Sequence, residues 1–529
     1  MRNKIIFTLA SIIMLLMSVV LLNPSEIKYE QIDYDKYYEM LEELSKEERS
    51  LNHPYHDISR DYLVDELEAR GLEVSLINSE EDEVIYKDDG EVFEYGVSNI
   101  YATLKANNPS ENKKNIAFVS HYDSAVGSYG AGDAGLAVIS FFAGLDSIIE
   151  QARVNDITIL ITDHEESGLI GANYIADYHP ELLEQIDFLY NWESRGTGGN
   201  VILFETTEND YQAVKNYSKV VKQQFAASFA TAVYGRMPNG SDFTVFKESG
   251  VEGLNFAMIE QFADYHTKQD HIDNIPKETF NNYINNVEQL MVDSAINDFT
   301  IKSTSSSVYF NYFDKAIVVN EYVVSVMLVV SILLLGYIIF MEKDIELKYV
   351  AFTILAVIIS FIIANLLALI PISIFERFSE YKPPQETDKI RFDLIYNNFY
   401  AIFMYAILLA SMLGITKLFE KKNLISRRSM FIVALTIGVI LELVVFKALY
   451  GGVIIFMIPV LVMEIVYILR QKIKTELVNL LLILILIPVF YPIVYYIYIA
   501  LTVNAYAILI NVLVIFTLFF MHLHLNNEK

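Results

Sequence analysis

The stretch "DITILITDHEESGLIGANYIA", residues 156–176, decides the fold. Its first seven residues are a β-branched, apolar run of the kind that forms a buried strand, and "GLIGANYIA" has helical spacing. Between them stand His164, Glu165 and Glu166. Two adjacent carboxylates at the end of a buried strand repel one another and lose hydration, so packing gives no reason to keep them. The junction implies a positive partner close by.

The same arrangement recurs outward from this point. "NIAFVSH" (115–121) runs into Tyr122 and Asp123, "FLYNWES" (188–194) carries Glu193, and the apolar run "VEGLNFAMIE" (251–260) precedes His266 in "YHTKQD". A small-residue helix is predicted from about 133 to 150, opening at Asp133 in "YGAGDAG". Upstream, helical patterns over 33–51 and 59–71 precede three strand-like stretches, "LEVSLI", "EVIYK" and "EVFEYGVSNIYATLKA", with "DDG" as a turn between the last two. Strands alternating with helices predict an α/β fold, a mostly parallel mixed sheet flanked by helices, whose ligands bind beyond the carboxyl ends of the strands.

That rule sends His121, Glu165, Glu166 and Glu193 to one edge of one sheet. Asp133 joins them from a glycine-rich turn that lets backbone approach a ligand closely. His266 adds a second imidazole. Zinc accepts such a His and carboxylate set, and two ions about 3.5–4 Å apart can share one carboxylate. Neighbouring side chains diverge, so one of Glu165 and Glu166 can ligate while the other stands free as general base. Taken singly, each residue has a plain structural reading. His-x-Asp is a common surface ion pair, and Glu-Glu is a common helix start.

The chain has 529 residues, a net charge of −27 and no cysteine. Residues 24–315 hold roughly 50 acidic against about 20 basic residues, which excludes nucleic acid as a partner and indicates a water-facing domain stabilised by an ordinary core. Residues 1–23, with Arg2 and Lys4 before an apolar run, read as an N-terminal transmembrane anchor. Residues 316–529 read as a polytopic C-terminal α-helical transmembrane bundle of about seven spans, near 316–341, 349–373, 397–416, 430–449, 451–469, 477–501 and 503–523. Basic residues at Arg2 and Lys4, in "TKLFEKKNLISRR" (416–428) and in "RQKIK" (470–474) fall on one side if every block crosses once. The expected topology has cytoplasmic N- and C-termini, the acidic domain outside and the lipid bilayer as a partner. Residue usage suits a bacterial plasma membrane.

In order and spacing, "SHYDS", "GAGDAG", "EESGLIGANYIA", "NWESRG" and "YHTKQD" resemble the clan MH di-zinc exopeptidases, which include bacterial leucyl aminopeptidases, aminopeptidase Y and the glutamate carboxypeptidase II group. The resemblance covers about residues 50–295. An anchor, then this domain, then several spans resembles the membrane-embedded branch of the endoplasmic reticulum metallopeptidase and the vacuolar membrane protease. It implies two zinc ions per chain, one on His121 and Glu193, the other on Glu166 and His266, with Asp133 shared. Glu165 would be the general base, and Asp123 would orient His121. Asp270 would act similarly on His266. Arg195, Ser241 and Asp242 are candidate substrate-side residues. The family often has Asn after the shared Asp, where this chain has Ala134.

The implied activity is hydrolysis of a peptide substrate from one end, as an aminopeptidase. A glutaminyl-cyclase-like acyltransferase needs only one zinc, against which the full set of both His121 and Glu193 speaks. A binding domain attached to a transporter is the third reading. Glu442 and Glu464 motivate it, because ionisable groups inside apparent spans are expensive and often functional.

Overall fold

The protein is described by a computed structural model over residues 12–378, 410–470 and 484–495, apart from 15, 19, 22, 80–84, 87–91, 94–95, 237–239, 299–302, 344, 412–413 and 494. It divides into two compact units, Leu21–Asn320 and the combination of Met1–Val20 with Glu321–Lys529.

The first unit opens with α1 (Tyr34–Leu44) and α2 (Pro54–Ala69). Its strands are β1 (Glu73–Asn78), the short pair β2 (Ile85–Tyr86) and β3 (Val92–Phe93), β4 (Ser98–Leu104), β5 (Asn115–His121), β6 (Asp156–Thr162), β7 (Phe188–Ser194), β8 (Ile202–Thr206) and β9 (Gly253–Met258). Seven of them form one sheet in the order β1-β4-β6-β5-β7-β9-β8. The four central strands β6, β5, β7 and β9 are parallel, and the outer strands run antiparallel. The long expected strand over 91–106 is interrupted between β3 and β4, and the predicted "DDG" turn lies outside the described residues.

Both faces of this sheet are covered, which is why its strands read as continuous apolar runs. Along β5, Ile116 and Phe118 enter one core and Ala117 and Val119 the other. On β7, Phe188, Tyr190 and Trp192 enter the first core while Leu189 enters the second. The first core is closed by α3 (Leu136–Ile148) and, later in the chain, by the helix Lys277–Ile296, which pack on one another. The second is closed by α4 (Ile170–Tyr178) and the helix Asp242–Glu248. Trp192 is fully buried and stacks on Phe256 with ring centroids 4.6 Å apart.

The chain passes from β5 to β6 on one side and then returns to β7 on the other, so the strand order reverses at β5. The crevice at such a reversal, beyond the carboxyl ends, is where open α/β sheets bind ligands. His121 is the last residue of β5 and pairs with Thr162, the last of β6.

A hairpin of β10 (Ser307–Tyr312) and β11 (Lys315–Asn320) completes the first unit. Residues 316–320, apolar enough to be taken into the first later span, are thus a strand, and the helix starts at Glu321. The second unit contains the helices Glu321–Met341, Leu347–Phe378, Arg427–Ala448 and Ile454–Arg470. Stretches 321–341, 428–448 and 450–469 are long and apolar enough to cross a membrane. So is Ala131–Ile148, but that segment is buried in the first unit's core. Of the remaining expected spans, 349–373 lies within the helix Leu347–Phe378, 477–501 is represented by the helix Leu484–Ile493, residues 12–14, 16–18 and 20–21 of 1–23 are helical, and 503–523 with most of 397–416 lies outside the described residues.

Candidate metal centre

Five carboxylates meet at the end of the parallel strands: Asp123, Asp133, Glu165, Glu166 and Glu193. All but Glu165 lie 2.9–3.6 Å from an imidazole nitrogen, and no described lysine or arginine head group comes that close to any of the five. Asp133 divides its two oxygens. Its Oδ1 lies 3.5 Å from His121 Nε2, which is also 3.6 Å from Glu193 Oε2. Its Oδ2 lies 3.3 Å from His266 Nε2, which is 2.9 Å from Glu166 Oε2. His121, Asp133 and Glu193 form one group able to hold an ion, and Asp133, Glu166 and His266 form another.

Buried atoms without hydrogen-bond partners show what the cluster fits. They include both imidazole Nε2 atoms, of His121 and His266, and Glu166 Oε1. Buried polar atoms are almost always satisfied, so three orphans within these two groups indicate absent partners with lone-pair affinity. Nitrogen and carboxylate donors in this number fit zinc.

Local backbone explains how Glu165 and Glu166 come to be placed together. After β6, the chain turns through His164 in the left-handed region and forms a short 3₁₀ turn over Glu165–Ser167. Asp123 caps that turn, its Oδ1 accepting from the Glu165 N–H at 3.0 Å and its Oδ2 from the Glu166 N–H at 3.1 Å. Asp123 Oδ1 also lies 3.3 Å from His121 Nδ1. One carboxylate therefore orients both an imidazole and the Glu-Glu pair, a wider role than the sequence implied.

Asp270 departs from expectation. It does not reach His266. Its Oδ1 accepts from the Gly132 N–H at 2.6 Å and its Oδ2 from the Asp133 N–H at 3.1 Å, so it braces the backbone of the shared aspartate. The turn it holds is tightly interlocked. Gly130 has φ +61°, and a Cβ there would lie 2.7 Å from both the Asp133 carbonyl oxygen and Ser124 Cβ; at Gly132 it would lie 2.8 Å from the Gly196 carbonyl oxygen. A cis peptide joins Asp133 to Ala134.

Arg49 was not visible as a site residue. Its side chain is fully buried and donates to the carbonyls of Tyr122 (2.7 Å), Tyr129 (2.7 Å), Gly130 (2.9 Å) and Leu44 (3.0 Å). It ties together the two turns that present His121 and Asp133. Behind Glu193, Asn191 donates to Glu193 Oε1 and to Asn255, which donates in turn to Glu205 and Ser241. Ser241 also caps the helix Asp242–Glu248. Asp242 is buried beside Thr162, whose hydroxyl donates to its Oδ2, while its Oδ1 has no hydrogen-bond partner. Arg195 lies with its guanidinium 4.7 Å from the Phe262 ring. The Tyr265 ring stacks on His266. His164 is buried and stacks on His56, which faces Asp163 at 2.9 Å.

Electrostatics follow from the crowding. Loss of hydration raises the Glu165 carboxyl well above the carboxylate range, with Glu193, Glu166 and Asp242 reinforcing it against His121. Burial, then the charge of Asp133, pushes Glu166 up to about 8. Burial alone would lower both imidazoles, but the surrounding carboxylates outweigh it, and His266 rises to about 10. In the two glutamates lost hydration leads and neighbouring negative charge adds to it, while in the imidazoles the carboxylates dominate; a bound cation would offset the crowded charge in both.

Residues 99–291 match the profile of peptidase family M28. Over 319 residues the chain is 27% identical to a vacuolar membrane protease of Eremothecium gossypii, covering 56% of this chain and 30% of that one. It is 28% identical over 218 residues to a vacuolar membrane protease of Saccharomyces cerevisiae, covering 41% and 22%. The chain thus spans less than a third of the length of these relatives. Similar solved structures include an aminopeptidase from Aneurinibacillus sp. strain AM-1 (15% identity, TM-score 0.41, 52% of this chain and 97% of that one) and a Porphyromonas gingivalis glutaminyl cyclase (18%, 0.40, 50% and 99%). The likeness in sequence is to peptidase family M28 and to vacuolar membrane proteases.

Proposed function

We propose that this chain, with its M28-type segment and membrane-length helices, is a membrane-anchored zinc exopeptidase that removes N-terminal residues from peptides. The observation that carries the reading is the divided Asp133 carboxylate, each oxygen facing a separate His and Glu pair. His121, Glu193 and one Asp133 oxygen would hold one zinc ion, and Glu166, His266 and the other oxygen a second. Zinc so bound supplies Lewis acidity, polarising a scissile carbonyl and acidifying water.

The chain's own groups do the rest. Glu165 takes the proton of the attacking water at its carboxylate and returns it to the departing amine. Asp123 holds Glu165 and Glu166 in register through their backbone amides. The carboxylates crowded at the site favour a protonated α-amine there. The first unit faces outward from a bacterial plasma membrane, with both termini cytoplasmic.

Metal content of the purified full chain, with peptide cleavage measured in parallel, tests this. We expect about two zinc ions per chain, lost on chelation and reduced in both His121→Ala and His266→Ala, with cleavage of free but not N-acetylated peptides. One ion without peptidase activity would favour the cyclase-like chemistry, and no zinc dependence would overturn the reading. Because the chain has no cysteine, Glu111→Cys and Lys421→Cys each create a unique label site. Outward topology requires an impermeant maleimide to modify the first and not the second in intact cells.

A further inference from the structure

In the second unit the helices Glu321–Met341, Arg427–Ala448 and Ile454–Arg470 pack on one another. Each places one polar residue into their shared apolar interior: Ser331, Glu442 and Glu464, all with zero exposure. Ser331 stands near the middle of its helix. At 1.5 Å per residue, Glu442 lies about 9 Å from the Ala448 end of its helix and Glu464 about 15 Å from the Ile454 start of the next. The carboxylates act on each other electrostatically, and the Ser331 hydroxyl lies beside both. Yet all four carboxylate oxygens and the Ser331 Oγ lack a completed hydrogen bond.

We propose that Glu442, Glu464 and Ser331 bind a hard divalent cation, of the magnesium or calcium kind, within the membrane unit. Two adjacent carboxylates in an apolar interior require a countercharge, and none of the described lysines or arginines pairs with either. Two neutral acids would each need a hydrogen-bond partner, and the Ser331 hydroxyl beside them offers one proton to two carboxyl groups. The same bundle shows what a structural acid looks like. Glu342 pairs with Arg428 at 3.6 Å and accepts from the Tyr467 hydroxyl. The donors at the inner site are oxygen only, which selects hard cations over zinc or copper. A charge of two matches the pair. A cation held between helices at this depth gives the later spans a task beyond anchoring.

The test is thermal unfolding of the zinc-loaded full chain in detergent, titrated with Mg²⁺, Ca²⁺ or Na⁺ alone, for the unaltered chain, Glu442→Gln with Glu464→Gln, and Ser331→Ala. We expect Mg²⁺ or Ca²⁺ at about 100 times its dissociation constant to raise the midpoint by roughly 5–10 °C. The double variant should show no such rise, and Ser331→Ala should need about tenfold more cation. A cooperative melt and an unchanged elution volume in detergent serve as the folding control for the second unit. Should the double variant fail to fold, Ser331→Ala alone decides, since it leaves both carboxylates in place. An identical response in all three chains would overturn the site by assigning the effect to acidic surface. A response to Na⁺ with inert divalents would overturn the charge assignment, and no response to any cation would overturn the proposal.

Discussion

At the end of β6, Glu165 and Glu166 stand among two imidazoles, their backbone amides held by Asp123, whereas Glu442 and Glu464 in the second unit have no cationic partner among the described residues and share one Ser331 hydroxyl. Both places concentrate carboxylates that no described lysine or arginine reaches. In the first, the protein has built scaffolding around the charges: Asp123 fixes the Glu-Glu turn, Asp270 fixes Asp133, and Arg49 fastens the turns that carry them. In the second, the helices are the whole scaffold. Buried charge can thus be made tolerable through a network that also sets geometry, or through a partner that arrives from outside.

If the built network exists to serve chemistry, its unliganded member should matter most. Glu165→Gln should lower peptide cleavage by about 10²–10⁴-fold while leaving zinc content unchanged. Loss of zinc in that variant would move Glu165 from base to ligand and break the comparison as drawn. Arg49→Met should come next. Stranding four buried carbonyls should cost about 3 kcal/mol or more in denaturant unfolding of the first unit, and a loss within 0.5 kcal/mol would show the turns to be self-supporting. Asp123→Asn retains shape but keeps only one good acceptor for two amides, so zinc affinity or cleavage should drop about 10–100-fold, with little change in stability.

The smallest effect concerns a buried acid away from the centre. Burial pushes Asp210 up to about 6, against the hydroxyls of Ser307 and Thr206 and the Ser307 amide. Its folded value exceeds its unfolded one, so its contribution to stability is fully present below about 3.8 and is lost as pH rises through about 6. Asp210→Asn should therefore gain relative to the unaltered chain by about 1–3 kcal/mol between pH 4 and pH 8, read from paired unfolding curves. An unchanged difference across that range would show that Asp210 stays hydrated.

The sheet was legible because its middle strands are buried on both faces and so read as unbroken apolar runs ending in charge. His121, Glu165, Glu166 and Glu193 stood out for that reason, and Asp133 and His266 followed from a glycine-rich turn and an apolar run. Arg49 and the true partners of Asp270 left no such trace. Their bonds go to backbone carbonyls and amides, which every residue carries, and Asp270 reaches amides 137 and 138 positions away. Hydropathy alone also misleads at both boundaries: 316–320 is apolar yet forms strand β11, and Ala131–Ile148 is apolar enough to cross a membrane yet lies in the core of the first unit. What separated them was the company each keeps, which length and composition do not record.

Trp192 has an optical consequence. It is the one tryptophan in the chain, sits immediately before Glu193 on β7, is shielded from water and lies flat against Phe256. Indole emission from the intact protein therefore reports on the first unit alone, with no contribution from the helices of the second. Unfolding of one part can be followed by light while the other remains silent, without attaching a dye or cutting the chain.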